Sequence, residues 1–454
     1  MVEFAFWCLT GSCGLAVIFG LRKPSGYLEF PTLVAAVFLG WVVPQLWQVR
    51  QAVTFVESEY FVTLNLFTLA CFLSIHLGWN WGVSAVRRSS PSFRFRVPSY
   101  KGLLRIGFAI SAVAWVMQIG MGMRPPDELN MTQWSGPLTI MYFVFNVKVI
   151  SLFLSIYLAL KYRSTASYVL LASAAALYIP LILIYFRRRA MVEMFTCVVL
   201  AVWFARHVIV PRIFIIFGMP IATLVIFGVG ALRSIASETG EWKMPTLAQI
   251  RAIDFWSLTP FATEHASPEL TNALYLVRLA DQWSFHTFGA GSWNRIIFQY
   301  VPAQLVGADL KNWLMFDLGV AERLYNQLYY AGSTGATSTA MGDAYLEFGF
   351  FGVIFFVAMA YVMGRWWVRA NRGDVWAATF YACGLAPALI MPTAYAFYFF
   401  NVMILYGGAI YGARYFLGTP VTGGPIIGNG VNAASRVQSA KRSSGYTGRG
   451  ATAP

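Results

Sequence analysis

Tyr168-Val-Leu-Leu-Ala-Ser-Ala-Ala-Ala-Leu-Tyr-Ile-Pro-Leu-Ile-Leu-Ile-Tyr-Phe186 is an uninterrupted apolar run that meets Arg187-Arg188-Arg189. Beyond the arginines, Ala190 to Ala205 is again largely apolar. A helix rises about 1.5 Å per residue, so a run of this length crosses a hydrocarbon core of roughly 30 Å. Comparable runs recur near Phe4 to Leu21, Tyr27 to Trp47, Tyr60 to Val83, Leu103 to Gly120 and Pro137 to Leu160. They return at Ile213 to Leu232, Met341 to Trp367, Val375 to Pro392 and Phe397 to Leu417. With 58% hydrophobic and 11% charged residues and a mean hydropathy of +0.60, the chain reads as an all-α polytopic membrane protein with about eleven transmembrane helices.

The distribution of Lys and Arg sets the predicted orientation, because short loops rich in them remain cytoplasmic. An N-terminus outside places Arg22, Lys23, Arg87, Arg88, Arg94, Arg96, Lys101, Arg105, Lys161, Arg163, Arg206, Arg212, Arg365, Arg369 and Arg372 inside. The short outer connections then hold only Arg50, Arg124 and the arginine triplet. Glu3 before the first span and Arg22-Lys23 after it make that span an uncleaved signal anchor. The net charge of +14 follows from these loops and from Arg436, Lys441, Arg442 and Arg449, so it does not call for a nucleic-acid partner. Cys8, Cys13, Cys71, Cys197 and Cys383 fall within spans with no metal-ligand or CxxC spacing, which predicts neither a disulfide framework nor a zinc site.

Four regions follow. Residues 1–232 carry eight predicted spans, 233–340 form one long extracytoplasmic loop, 341–417 carry three spans, and 418–454 form a disordered cytoplasmic tail. The tail is rich in Gly, Ser, Ala and basic residues, with too little apolar surface to offset the entropy of ordering. The loop is far longer than most connections and is predicted to be functional. Within it, Leu270, Leu274, Val277 and Arg278 to Trp283 read as an amphipathic helix, and Trp293 to Leu305 as another. Trp242, Trp256, Trp283, Trp293 and Trp313 suit the outer interface or stacking on sugar rings.

Two sets of residues carry candidate chemistry. Arg187, Arg188 and Arg189 lie on the side where short loops should be poor in positive charge, which points to an anionic ligand outside the cytoplasm. Asp343 and Glu347 are four apart and share one helix face; their simplest role there is to complement the helix dipole. Lys148 falls mid-span, where a charge costs roughly 2.5 to 3.5 kcal/mol, so it should face a cavity or partner, with Asn146 in the same polar patch.

The loop ends in Ser338-Thr-Ala-Met-Gly-Asp-Ala-Tyr-Leu-Glu-Phe-Gly-Phe-Phe-Gly352. Its Gly-x-x-Tyr-x-x-Phe-Gly-x-x-Gly pattern, at the junction of a long outer loop and a late span, resembles the bacterial oligosaccharide repeat unit polymerases, the Wzy or O-antigen polymerase group. Arg188-Arg189-Ala190-Met191 is similar to the Ser-Arg-Gly/Ser-Ala-Leu start of a helix in those polymerases and in O-antigen ligases. Arg295 to Gly307, with Pro302 between, is a third and looser match. Phe186 and Arg187 stand where the family has small residues, so which of the three arginines corresponds stays open.

The resemblance implies a glycosyltransferase C-like arrangement and a reaction at the outer face of the bacterial inner membrane. A growing glycan would pass from undecaprenyl diphosphate to the terminal sugar of a newly flipped lipid-linked repeat unit. Such chemistry is metal-independent and takes no cofactor. Its partners are undecaprenyl-diphosphate-linked oligosaccharides and the lipid bilayer, with the chain-length regulator and flippase of the same pathway. Guanidinium grips phosphate oxygens in pairs and stabilises a departing diphosphate. Arg187, Arg188, Arg189, Arg278, Arg295 and Arg323 are therefore the diphosphate-binding candidates. Arg187 can instead anchor to lipid phosphate, and Arg278 or Arg323 can pair with Asp281 or Glu322. A base taking the acceptor hydroxyl proton is sought among His286, Glu322, Asp343 and Glu347, with His265 behind them. An O-antigen ligase shares the architecture but should show a His-Asn/Ser/Gln signature in the loop, which His265-Ala266 and His286-Thr287 lack. A sugar transporter would carry more intramembrane charge and an internal repeat, and a non-catalytic assembly partner is the remaining alternative.

Overall fold

The computed structural model describes residues 2–53, 56–88, 98–123, 137–185, 187–208, 246–251, 268–332 and 337–417, with 211 and 228 as isolated positions. Every regular element among them is helical. Seven helices are long and apolar enough to cross a membrane: α1 (Val2–Arg22), α2 (Phe30–Ala52), α3 (Ser58–Arg88), α4 (Tyr100–Gly122), α5 (Pro137–Tyr162), α6 (Thr165–Leu183) and α10 (Ala340–Asn371). Between the last two of these come α7 (Arg188–Arg206), α8 (Pro268–Trp283) and α9 (Ala290–Tyr300). The chain closes with α11 (Val375–Leu389) and α12 (Tyr398–Leu417). The protein is an α-helical polytopic membrane protein. Large apolar side chains such as Phe4, Trp7, Leu77, Trp81 and Val116 stand exposed on the outward helix faces, the arrangement a lipid solvent favours.

The sequence predicts eleven spans, and the difference from seven has local causes. The predicted span at 213–232 lies outside the described residues, as do most of the loop before residue 268 and the segment 418–454. Charge at Arg188, Arg189, Glu193 and Arg206 takes α7 out of the purely apolar class, and α11 is only 15 residues long. Tyrosines, glycines, Asn401 and Arg414 lower the hydropathy of α12.

The bundle has two distinguishable ends. At one, Arg50 meets Glu3 at 3.3 Å and Arg278 meets Glu57 at 3.2 Å, so the start of α1, the end of α2 and helix α8 lie together. At the other, Arg372 donates to the Val86 carbonyl at 3.3 Å, Arg206 to that of Leu160, and the Trp203 indole to Asn371 at 3.0 Å. The core between them is closely packed. Helices α3 and α10 lie against each other through Gly78 and Gly82: a Cβ on either would stand 2.2 Å from the Val357 oxygen or 2.1 Å from that of Tyr361. Only the absence of a side chain permits that approach.

Four irregularities shape the first end. The span expected as one helix from Pro137 breaks at Asn146-Val147, where the Asn146 amide donates to the Tyr142 and Phe143 carbonyls and competes with the helical ladder. Pro180 begins a five-residue π segment in which Tyr185 donates to the Pro180 carbonyl, and Arg187 then donates to that of Leu181 at 2.8 Å. The helix expected over Trp293 to Leu305 divides at Pro302 into α9 and Ala303–Val306, since proline cannot donate to the ladder. Gly349, with φ +57°, and Gly352, beside the Ala344 carbonyl, turn the chain inside α10 through a tight 3-10 segment.

Candidate functional site

The turn after Pro180 delivers the three arginines to one place. Arg187 is extended and ends the turn, while Arg188 and Arg189 occupy the first turn of α7, where aligned peptide dipoles already place partial positive charge. Together with Tyr142, Phe145, Asn146, Lys148, Leu181, Ala190 and Glu193 they line a cavity of about 420 Å³. The break at Asn146-Val147 lets Lys148 start the second half of α5 facing this space. Four cationic side chains therefore meet a single carboxylate in the cavity wall.

Glu193 organises the floor. It is 1% exposed and accepts from Arg189 Nε at 2.7 Å and from the Tyr178 hydroxyl at 3.2 Å. Lys148 Nζ lies 3.5 Å from Oε2, the oxygen that Tyr178 also binds, and rests over the rings of Phe145 and Tyr178, at 4.7 and 5.2 Å. The partner that the sequence demands for Lys148 is thus an acid on the next helix but one. Arg189 Nη1 donates to the Tyr398 hydroxyl, and the guanidinium carbon sits 5.6 Å from the Tyr398 ring centre. Its Nη2 is buried and has no hydrogen-bond partner.

A second polar cluster lies at the same end, between α9 and the start of α10. Both terminal nitrogens of Arg295 donate to Asp343, Nη2 at 2.6 Å, and the Ala396 amide donates to the same carboxylate at 3.0 Å. Burial works against the Arg295 charge, but the Asp343 carboxylate more than offsets it and raises the guanidinium above its ordinary value. Glu347 accepts from the Gly289 amide at 2.5 Å, the Ser292 amide at 2.7 Å and the Ser292 hydroxyl at 3.0 Å, so it caps the start of α9 from another helix. Tyr300 donates to the Asn401 carbonyl, and burial pushes its phenol up to about 12, which keeps the donor protonated. The Arg295 guanidinium lies 4.3 Å from the Tyr395 ring centre, and Tyr395 in turn packs edge-on against Tyr398 at 5.4 Å. Burial, the largest influence on Tyr395, also raises its phenol.

The candidates from sequence therefore separate into groups. Arg187, Arg188 and Arg189 converge on the cavity. Arg295, Asp343 and Glu347 form the second cluster, each engaged with protein groups, and His286 adjoins it with Nδ1 buried and without a hydrogen bond, its ring edge-on to Phe288 and Tyr345. Arg278 pairs with Glu57, not Asp281, which instead accepts from Tyr345 at 2.6 Å. Arg323 lies over the Phe285 ring at 4.4 Å, and Glu322 is exposed beside it. None of His286, Glu322, Asp343 and Glu347 lines the basic cavity; Glu193 does, and the sequence reading passed it over. The signal was present, since Glu193 follows Arg189 by one helical turn. His265 lies outside the described residues. Among the described residues, no three His, Cys, Asp or Glu side chains are grouped to hold a metal ion.

Comparison with protein-family models, with curated proteins and with solved structures returned no match.

Proposed function

We propose that this protein is a membrane-embedded glycosyltransferase that polymerises undecaprenyl-diphosphate-linked oligosaccharide repeat units at the outer face of the bacterial inner membrane. The observation that carries this reading is the cavity in which Arg187, Arg188, Arg189 and Lys148 face one carboxylate at the end of a helical bundle. An excess of fixed cations beside apolar helices suits a phosphate-bearing headgroup on a lipid chain. Guanidinium donors held in place before the reaction stabilise charge as it builds on a departing diphosphate, and each such donor is worth about 10² to 10³ in rate. The sequence resemblance at Gly342 to Gly352 and at Arg188 to Met191 supplies the sugar-transfer half of the proposal. In this reading the basic cavity holds the donor diphosphate, and the α9–α10 cluster fixes the loop helix above it. The chain-length regulator and flippase of the same pathway would be its partners.

One observation favours a second reading. A buried Lys148–Glu193 pair lining a cavity is also what a transporter of lipid-linked anionic sugars would use. Deleting the gene and resolving surface and lipid-linked glycans on a gel separates these possibilities. Polymerase loss leaves a single repeat unit on the surface in place of a ladder, and transporter loss leaves no unit on the surface at all. Long polymer accumulating on undecaprenyl diphosphate would mark a ligase instead, and an unchanged profile would remove glycan assembly from consideration.

A further inference from the structure

Pro302 ends α9 and opens a hairpin in which two short helices, Ala303–Val306 and Ala308–Trp313, turn about Gly307 at φ +89°. Its backbone is satisfied locally. Leu305 and Gly307 donate to the carbonyls of Pro302 and Ala303 at 3.0 and 2.8 Å, and Leu314 donates to that of Leu310 at 3.1 Å. Side chains then tie the hairpin to α9: the Trp293 indole donates to the Leu314 carbonyl at 2.8 Å, and Lys311 donates to that of Phe298 at 3.0 Å. The Asn294 side chain also exchanges two hydrogen bonds with the Phe316 backbone, at 2.7 and 2.8 Å. The hairpin is a fixed piece of structure, yet neither short helix buries a residue.

What it presents outward is apolar. Leu305 is 83% exposed and Trp313 79%, and Phe298, Leu310 and Phe316 are exposed with them. These side chains are also sorted by face. Leu310 and Trp313 are three apart and share one side of the second short helix, while Asp309 and Asn312 share another. A fixed segment with a segregated apolar face of this kind marks a surface that meets a partner or a membrane.

Depth decides between them. Tyr300, the last residue of α9, meets the Phe143 ring at 5.1 Å and donates to the Asn401 carbonyl. Phe143 lies in the second turn of the spanning helix α5, and Asn401 in the first turn of α12. Ile140 and Ile404, one turn or less away on the same helices, face outward from the bundle. The hairpin starts two residues after Tyr300, so it leaves the bundle level with the edge of the apolar zone, continuous with its lipid-facing surface. Stacking on sugar rings is less well served, because the Trp293 indole N–H that would meet a hydroxyl is spent on Leu314. We infer that residues 302–316 form an interfacial anchor: Leu305, Leu310 and Trp313 enter the boundary between lipid headgroups and acyl chains, with Asp309 and Asn312 turned to water. Tryptophan and lysine, as at Trp313 and Lys311, are the residues that suit this zone. The inference stands apart from the sugar-transfer reading. Through Trp293 and Asn294 the anchor holds α9 at a fixed height against the membrane surface.

The test is electron paramagnetic resonance on the full-length protein in nanodiscs of phosphatidylethanolamine and phosphatidylglycerol. All five cysteines are changed to alanine and one spin label is attached at a time. Leu305→Cys, Leu310→Cys and Trp313→Cys report the apolar face, and Asp309→Cys and Asn312→Cys the polar one. Leu77→Cys, exposed on the spanning helix α3, is the lipid reference, and Glu322→Cys is the water reference. Each label is scored for collisions with oxygen, which concentrates in lipid, and with a water-soluble nickel chelate. The apolar-face labels should favour oxygen as the label at 77 does and lie about 5–10 Å into the headgroup and acyl boundary. Labels at 309 and 312 should favour nickel as the one at 322 does. Nickel access at 305 and 313 equal to that at 322 overturns the inference and puts the face in water. Shielding of 305 and 313 from both reagents also overturns it, in favour of a protein contact such as a second copy of this chain. Every substituted side chain is exposed, so the variants should fold; Val306→Cys, also exposed, replaces any apolar-face variant that loses its thermal transition.

Discussion

Arg189 and Arg295 are both guanidiniums near one end of the bundle, yet their surroundings assign them different work. Arg295 gives both terminal nitrogens to Asp343, which leaves the pair neutral and closed. Arg189 keeps one nitrogen unpartnered beside the cavity. Asp343→Ala should therefore act on stability, leaving a partly exposed cation without its partner at a cost of about 1–3 kcal/mol, while replacing Arg295 and Asp343 together by Met and Leu should recover much of the loss. Thermal unfolding of the purified protein checks this; an unchanged Tm in Asp343→Ala would mean the pair holds nothing. Arg189→Ala should instead leave membrane protein levels near wild type and reduce polymer formation about 10²- to 10³-fold, read from the glycan ladder at matched expression. The shared face of Asp343 and Glu347 was legible from their spacing, because helical period is local. Their partners were not, since Arg295, Gly289 and Ser292 lie 48 to 58 residues away and only the fold brings them near.

At the scale of elements, length and apolarity are written in the sequence, while breaks and contacts depend on single side chains meeting their surroundings. The spans from Val2 to Leu183 emerge close to the predicted boundaries because each is a long apolar run between charged or turn residues. The interruption at Asn146 is invisible to hydropathy, since one amide turning back on the Tyr142 carbonyl at 2.8 Å produces it. The α3–α10 contact is similar: Gly78 and Gly82 are four apart and so share a face, but which helix they receive is settled by packing. A methyl at Gly82 would meet the Tyr361 carbonyl oxygen at 2.1 Å. Gly82→Ala should cost about 1–3 kcal/mol as the helices part, measured by thermal unfolding in detergent, whereas alanine at Gly11, which has open space around it, should be nearly silent. Equal Tm values for the two variants would show that the helices tolerate separation. Glu347→Ala belongs to the same scale, because it leaves the buried amides of Gly289 and Ser292 unpaired. It should loosen α9 by about 2 kcal/mol, visible as faster amide exchange at the start of that helix.

For the whole molecule, the two ends differ in charge economy. One gathers Arg22, Lys23, Arg87, Arg88, Lys161, Arg163, Arg206, Arg369 and Arg372 beside few acids, and the other pairs Arg50, Arg278 and Arg295 with Glu3, Glu57 and Asp343. If insertion follows charge, the end with the basic surplus is the one that would stay in the cytoplasm. On that expectation the arginine cavity would open at the far side, against the charge rule, as the proposed anionic ligand requires. Orientation is testable without any assumption about chemistry. In a background whose five cysteines are changed to alanine, Tyr329→Cys and Val208→Cys place single thiols at exposed positions at opposite ends. A membrane-impermeant maleimide added to intact spheroplasts should label Cys at 329 and reach 208 only after the membrane is opened. The reverse pattern would turn the cavity toward the cytoplasm, where a lipid-linked repeat unit that has already crossed the membrane could not reach it. Polymerisation would then give way to a reaction on a cytoplasmic phosphate ester.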